Sequence, residues 1–174
     1  MVAVSISVEG MFGLTWPLWE RISAEVEELG FDGLFRSDHF TLPFPVDLDS
    51  LELIVSLCYL ADHTDRVHFG SLVAPLSFRD PVMLARQSLA IDDLSGGRLT
   101  VGVGVGWSAA EFAALDQDFS NRGARIDEAL RIWRAVWEQD PATFHGDHYD
   151  FEDLRVLPQP AHRIPIWVGG SGPA

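Results

Sequence analysis

The chain has 174 residues, 47% of them hydrophobic, a formal net charge of −14 and one cysteine, enough length to bury a core without covalent staples. The single Cys58 excludes a disulfide framework and a cysteine-rich metal site. The acidic balance argues against nucleic acid and anionic membranes, which call for clustered basic surface, so the expected partner is a small molecule.

The elements read in order as strand and helix alternating. Residues 3–8 form a short β-type run, and residues 16–29 follow with helical spacing until Gly30, which suits the left-handed position that closes a helix. Residues 33–38 are a second strand. Asp49 or Ser50 is the expected cap of a helix running to His63, within which residues 51–61 are apolar almost all round. A surface helix needs one apolar stripe, so this one is expected to be buried on two sides, the second side at a subunit interface or under the long connection around residues 40–46, with Cys58 as a buried structural thiol. Residues 67–73 are a third strand. Asp80-Pro81 opens the next helix with an acidic cap and proline at the first position. Ser95-Gly96-Gly97 ends it, and residues 99–105 form a fourth strand. Helix returns from about Ala109 and again over 122–138, where Asp127 and Glu128 fall. Residues 143–153 read as a hairpin turning at His145-Gly146-Asp147, and residues 164–168 as a fifth strand ending in Gly169-Gly170.

This alternation implies parallel strands joined by right-handed crossovers, in an open doubly wound sheet or a closed barrel. The fourth strand is the most informative. In Leu99-Thr100-Val101-Gly102-Val103-Gly104-Val105-Gly106, a strand's period of two offers Leu99, Val101, Val103 and Val105 to covering helices and leaves the other face nearly bare. Bare backbone makes room for a planar ligand or for tight packing against another element. Gly104-x-Gly106-x-x-Ala109 also matches a dinucleotide fingerprint, but that motif needs an acidic residue ending the next strand, and Asp127 and Glu128 lie inside a helix.

Ser37-Asp38-His39-Phe40 ends the second strand, where barrel enzymes carry their active sites. His39 there could act as a general acid or base near neutral pH, or hold nearby backbone. Gly169-Gly170-Ser171-Gly172 exposes backbone N–H groups that suit a phosphate. His145-x-x-His148 has no partner cysteine or helix-borne glutamate, so no metal site is expected. Asp47, Asp49, Glu27 and Glu28 read as caps and solvated-face charges. The opening MVAVSISVEG lacks a basic n-region and a long apolar h-region, and no apolar stretch reaches the ~20 residues of a membrane span, so cytoplasmic residence is expected.

Several stretches together resemble the luciferase-like monooxygenase superfamily, especially its branch dependent on coenzyme F420. They are Leu29-Gly30-Phe31-Asp32-Gly33-Leu34-Phe35-Arg36-Ser37-Asp38-His39-Phe40, Gly70-Ser71-Leu72-Val73-Ala74-Pro75, Arg79-Asp80-Pro81, Asp93-Leu94-Ser95-Gly96-Gly97-Arg98, Gly102-x-Gly104-x-Gly106-Trp107 and Pro165-Ile166-Trp167-Val168-Gly169-Gly170. The resemblance implies an α/β fold, a TIM (β/α)₈ barrel of which residues 1–174 supply about the first five β/α units as one domain. It implies an oxidoreductase that moves a hydride between reduced F420 and a small organic substrate, or, with FMN, a monooxygenase. His39 is then the catalytic residue. Asp38, Ser71, Leu72, Gly104, Gly106, Gly169, Gly170, Ser171 and Gly172 contact the cofactor, and Phe40 and Trp107 line the substrate pocket. A non-proline cis peptide is expected at Ser71–Leu72. Trp107 stands where some deazaflavin dehydrogenases carry a catalytic glutamate, which speaks against their sugar-phosphate chemistry. A whole barrel takes about 250 residues, so the chain is expected to be a fragment whose complete form is a homodimer. A non-redox binding protein and a degenerate fragment are the competing readings.

Overall fold

The computed structural model describes residues 2–41 and 48–170. Within them lie strands β1 (Ser5–Val8), β2 (Gly33–Arg36), β3 (His68–Pro75) and β4 (Leu99–Gly104), the hairpin β5 (Ala142–His145) and β6 (Asp150–Leu154), and β7 (Ile166–Val168). The helices are α1 (Trp16–Glu28), α2 (Leu53–His63), α3 (Pro81–Leu94), α4 (Ala109–Ala114) and α5 (Arg122–Glu138).

Local chemistry starts and stops these helices. Asp80 caps α3, its Oδ1 accepting the Met83 N–H at 3.0 Å with Pro81 in the first turn, a pairing that satisfies an otherwise orphaned donor. Gly96 and Gly97 then take φ of 68° and 89° after Ser95, turning the chain out of the helix. In α1, Trp19, Ser23 and Val26 recur at helical spacing and are the residues it buries. The expected start of α2 is corrected: Glu52, not Asp49 or Ser50, is the cap, its Oε2 accepting the Val55 N–H at 2.8 Å. An acidic side chain one turn nearer the apolar run serves the same free N–H groups.

The main sheet is five-stranded, in the order β1-β2-β3-β4-β7, and every pairing is parallel. Strands laid down in sequence order, with no reversal of direction across the sheet, are the pattern of a barrel. A doubly wound sheet reverses at a switch point, so the dinucleotide fold is excluded by topology. The sheet is also strongly curved. Phe35 on β2 and Trp167 on β7 have ring centroids 5.1 Å apart, although two strands separate theirs; in a flat sheet they would sit about 14 Å apart at the usual strand spacing.

The core lies between the convex face of this sheet and its helices. Leu34, Phe69 and Leu99 from the strands meet Leu57, Leu60, Leu84 and Leu89 from α2 and α3. Trp133 of α5 is fully buried and donates to the Pro81 carbonyl at 2.9 Å. Arg98 ties the far end together by donating to Ala61, Val67 and Ser95 carbonyls and to the Thr64 hydroxyl.

Two expectations about α2 change. Its inner face (Leu53, Leu57, Leu60, Ala61) is buried, but Ile54, Cys58 and Tyr59 are half-buried and Val55 is exposed. Cys58 is therefore a half-buried free thiol, pushed up in pKa by burial. The apolar run wraps further round than the core needs, and the residues next to the seam take partial cover. Among the described residues, no helix is long and apolar enough to cross a membrane.

Candidate functional site

All five strands of the curved sheet contribute residues from their C-terminal halves or beyond to one open cleft of about 620 Å³. Glu9, Met11 and Phe12 come from the segment after β1, Ser37 and His39 from after β2, and Leu72, Val73 and Pro75 from β3. Gly104, Val105, Gly106 and Trp107 come from the end of β4, and Gly169 and Gly170 from after β7. Its rim is apolar: Phe12, Leu72, Val105 and Trp107 are all exposed.

The glycine face of β4 is used for close approach. A Cβ at Gly102 would run into the Ser71 carbonyl, and one at Gly104 would meet the Val73 side chain at 2.6 Å. The register between β3 and β4 shifts between Ser71 and Ala74, so β3 bulges onto the bare face. Glycine there admits a neighbouring strand, and the open space of the cleft begins only at Gly104. Val105, expected under a helix, is exposed at the mouth; Leu99, Val101 and Val103 are buried as expected.

The non-proline cis peptide is at Leu72–Val73, one bond later than expected. Ser71 still pairs regularly with Val101 and donates its hydroxyl to the Gly102 carbonyl at 2.7 Å. The irregular backbone therefore starts after it. Ser71 is buried away from the cleft, whereas Leu72 lines it.

His39 is held from both sides. Its Nδ1 lies 2.7 Å from Glu111 Oε2, and the Trp107 indole N–H donates to its Nε2 at 2.8 Å. Glu111, on the first turn of α4, is fully buried, and its other oxygen accepts the Phe40 N–H at 2.8 Å. The Glu111 bond raises the His39 pKa above its usual 6.5, against burial, with Glu9 and Asp38 adding to the rise. Arg122 donates to the Gly106 carbonyl at 3.2 Å and lies over Phe119, fixing the turn that presents Trp107. Gly106 itself has φ of 78°, a left-handed conformation that favours glycine.

Asp38 turns the other way. Its buried carboxylate takes both terminal nitrogens of Arg79, which also donates to Glu52 at 2.6 Å. Burial pushes the Asp38 carboxyl up and Arg79 limits the rise. Burial also works against the Arg79 charge, but the two carboxylates outweigh it and hold the guanidinium charged. Asp38 and Phe40 line a neighbouring recess of about 230 Å³, shared with His39, not the larger cleft. Beneath them Arg36 is fully buried and donates to Ser37 and Leu51 carbonyls and the Ser56 hydroxyl.

The structure thus gathers His39, Leu72, Gly104, Gly106, Trp107, Gly169 and Gly170 at one cleft. Ser171 and Gly172 lie outside the described residues. Reading the sequence did not single out Glu111, Arg79 or Arg122 for a role. For Glu111 a signal existed: an acidic residue beside Phe112 in the short helix directly after the glycine-rich strand.

These features define an unclosed, barrel-type parallel α/β sheet with an open cleft at its C-terminal strand ends. The luciferase-like monooxygenase family model matches residues 18–174, and the chain belongs to that family. It is 32% identical over 158 residues to an F420-dependent glucose-6-phosphate dehydrogenase of Intrasporangium calvum, covering 87% of this chain and 47% of the relative. It is 30% identical over 159 residues to an FMNH(2)-dependent dimethylsulfone monooxygenase of Pseudomonas putida, covering 88% and 43%. Among solved structures, an F420-dependent secondary alcohol dehydrogenase bound to an F420–acetone adduct superposes with a TM-score of 0.84 at 21% identity, over 97% of this chain and 53% of that one. The chain spans about half the length of the curated relatives it matches.

Proposed function

We propose that this chain is the cofactor-bearing part of an oxidoreductase that moves a hydride between coenzyme F420 and a small organic substrate. The observation that carries the reading is His39, a proton-carrying group fixed by Glu111 and Trp107 at the wall of the strand-end cleft. The residues present fit such a group. The cleft volume of about 620 Å³ is within the usual range for a bound organic ligand, its rim is apolar, and a Cβ at Gly170 would meet nothing within 4 Å.

Leu72 and Val73 would back the ring, Gly104 and Gly106 would leave it room, and Gly169 and Gly170, with Ser171 and Gly172 next in sequence, would take the phosphate on their N–H groups. A bound deazaflavin supplies a two-electron hydride carrier. The chain's own part is to place it, shed water and move a proton. His39 Nε2 takes the hydroxyl proton when an alcohol is oxidised and returns it when a carbonyl is reduced. Phe12 and Trp107 cover the cleft against water.

A second reading, an FMN-dependent monooxygenase, draws on the 30% identical dimethylsulfone enzyme and on Trp107 at the substrate side. Fluorescence titration of the protein with F420 and with FMN separates the two. F420 is expected to bind at least about tenfold more tightly, a gap of roughly 1.4 kcal/mol. Tighter binding of FMN would overturn the F420 reading in favour of the second, and binding of neither would overturn both redox readings. A homodimer and a cytoplasmic setting complete the proposal. Val55, exposed on α2 beside half-buried Ile54 and Tyr59, supports the dimer, which light scattering checks.

A further inference from the structure

We infer that Glu111 is a positioning residue that decides which nitrogen of His39 carries the proton, and that the Trp107 indole holds the place of the substrate's oxygen at the other nitrogen. Two contacts together fix the arrangement. Glu111 is fully buried and accepts the Phe40 N–H on Oε1. Its Oε2 lies 2.7 Å from His39 Nδ1, a distance that needs one hydrogen between the two atoms. At the far side of the ring, an indole N–H can only donate, and it lies 2.8 Å from Nε2. Nε2 therefore presents its lone pair, and a neutral ring with Nε2 bare carries its hydrogen on Nδ1, where Glu111 Oε2 accepts it.

The result is a base aimed away from its orienting carboxylate, with its lone pair met by an exposed side chain (Trp107 is 55% exposed). A substrate hydroxyl can donate to Nε2 only when the indole leaves it. Conversely, once Nε2 gains a proton it opposes the indole N–H, donor against donor, so protonation of His39 expels Trp107. The charged groups facing the ring are Glu111 from α4, Glu9 after β1 and Asp38 beside it, the last neutralised by Arg79. Only Glu111 bonds it. The identity of the group that replaces the indole rests on the proposed function; the tautomer does not.

The test is the ¹⁵N spectrum of the imidazoles in the full chain, with His39 assigned among the six histidines by loss of its signals in H39Q. Above its titration the wild type is expected to show Nδ1 protonated and Nε2 bare. A wild-type spectrum with Nε2 protonated overturns the inference whatever the variants do. In E111Q, the amide cannot accept from both Phe40 and His39. The tautomers should redistribute toward Nε2–H and the titration midpoint should fall by about one unit, about tenfold in the protonation equilibrium. The exposed Glu9→Gln change should leave the tautomer alone. An unchanged tautomer and midpoint in E111Q overturns the role of Glu111, and E111A, which also removes the acceptor at Nδ1, gives the same reading if E111Q does not fold. No cofactor enters this measurement, so a failed F420 titration leaves it standing.

Discussion

Glu111 and Glu128 are both buried glutamates on helices that follow β4, and they do opposite work. Glu128 spends its carboxylate on fixed backbone: Asp147, His148 and Tyr149 donate their N–H groups to it at 2.9, 3.1 and 3.2 Å. Burial works against its charge, but the three donors hold the carboxyl below its usual range. A Cβ at Gly146 would strike the Glu128 carboxylate, so a larger residue where the β5–β6 turn crosses the helix would have to displace it from its three donors. Glu111 divides its carboxylate between one backbone N–H and an ionisable ring. A carboxylate satisfied wholly by backbone has one state and pins structure. One that shares an oxygen with a histidine at a cleft has a partner that changes charge, and that is where function concentrates.

The largest expected effect breaks the two apart by activity. His39→Gln keeps a donor for Glu111, so no buried carboxylate is stranded, but removes the titrating nitrogen. Turnover by the cofactor-loaded complete enzyme is expected to fall by about 10²–10⁴, the usual contribution of a positioned acid–base, while the melting temperature stays near that of the wild type. Full turnover in this variant would remove His39 from the chemistry. At the other carboxylate, Glu128→Ala deprives three N–H groups of their acceptor. Thermal unfolding is expected to reveal a loss of about 2 kcal/mol, since the hairpin donors can recover part of their bonding from water. The His39 signals should stay in place. A hairpin change that moved them would mean the two regions are one cooperative unit.

Stability against pH should separate the pair by sign. The folded pKa of His39 lies above 6.5, so its contribution is complete below 6.5 and is lost as pH rises through the raised value. The folded pKa of Glu128 lies below 4.5, so its contribution is complete above 4.5 and is lost as pH falls through the lowered value. Between 4.5 and 6.5 both are present. Melting curves of wild type against H39Q should converge on the alkaline side, and those against E128Q on the acid side. Convergence of both on one side would refute the assignment.

The architecture was largely legible because it is periodic. Alternating strand and helix patterns place the strands of the main sheet within a residue or two at most ends, and Asp80-Pro81 marks a helix start that the structure repeats. What periodicity does not carry is contact between distant positions. Glu111 and His39 are 72 residues apart, and a glutamate on a short helix reads as solvated until the barrel curvature folds it inward. The cis bond was misplaced for a related reason: the β3 bulge shifts register after Ser71, and no pattern in Gly70-Ser71-Leu72-Val73 records where regular pairing stops. The glycines of β4 were legible as bare backbone but not as to what fills it, since the answer lies on the neighbouring strand. The start of α2 moved because three acidic or hydroxylic residues, Asp49, Ser50 and Glu52, compete for one capping position.

The smallest expected effect is the sharpest test of the mouth. Trp107→Phe keeps an aromatic wall on the cleft and, because the side chain is 55% exposed, should change stability by no more than about 0.5 kcal/mol. It removes the N–H that His39 Nε2 accepts, together with the indole's second ring. That bond favours the neutral ring, since a protonated Nε2 would face another donor, so its loss should raise the His39 midpoint. The rise should be a few tenths of a unit, roughly, because a neutral donor perturbs a titration less than a charged partner does. Glu111→Gln acts on the other nitrogen and should move the same midpoint down. Opposite shifts from two sides of one ring can arise only if the ring is held between a donor and an acceptor. A midpoint that stays put or falls in W107F would mean that the indole does not rest on Nε2 in solution, and the cleft would then be open to substrate without any side chain having to leave it.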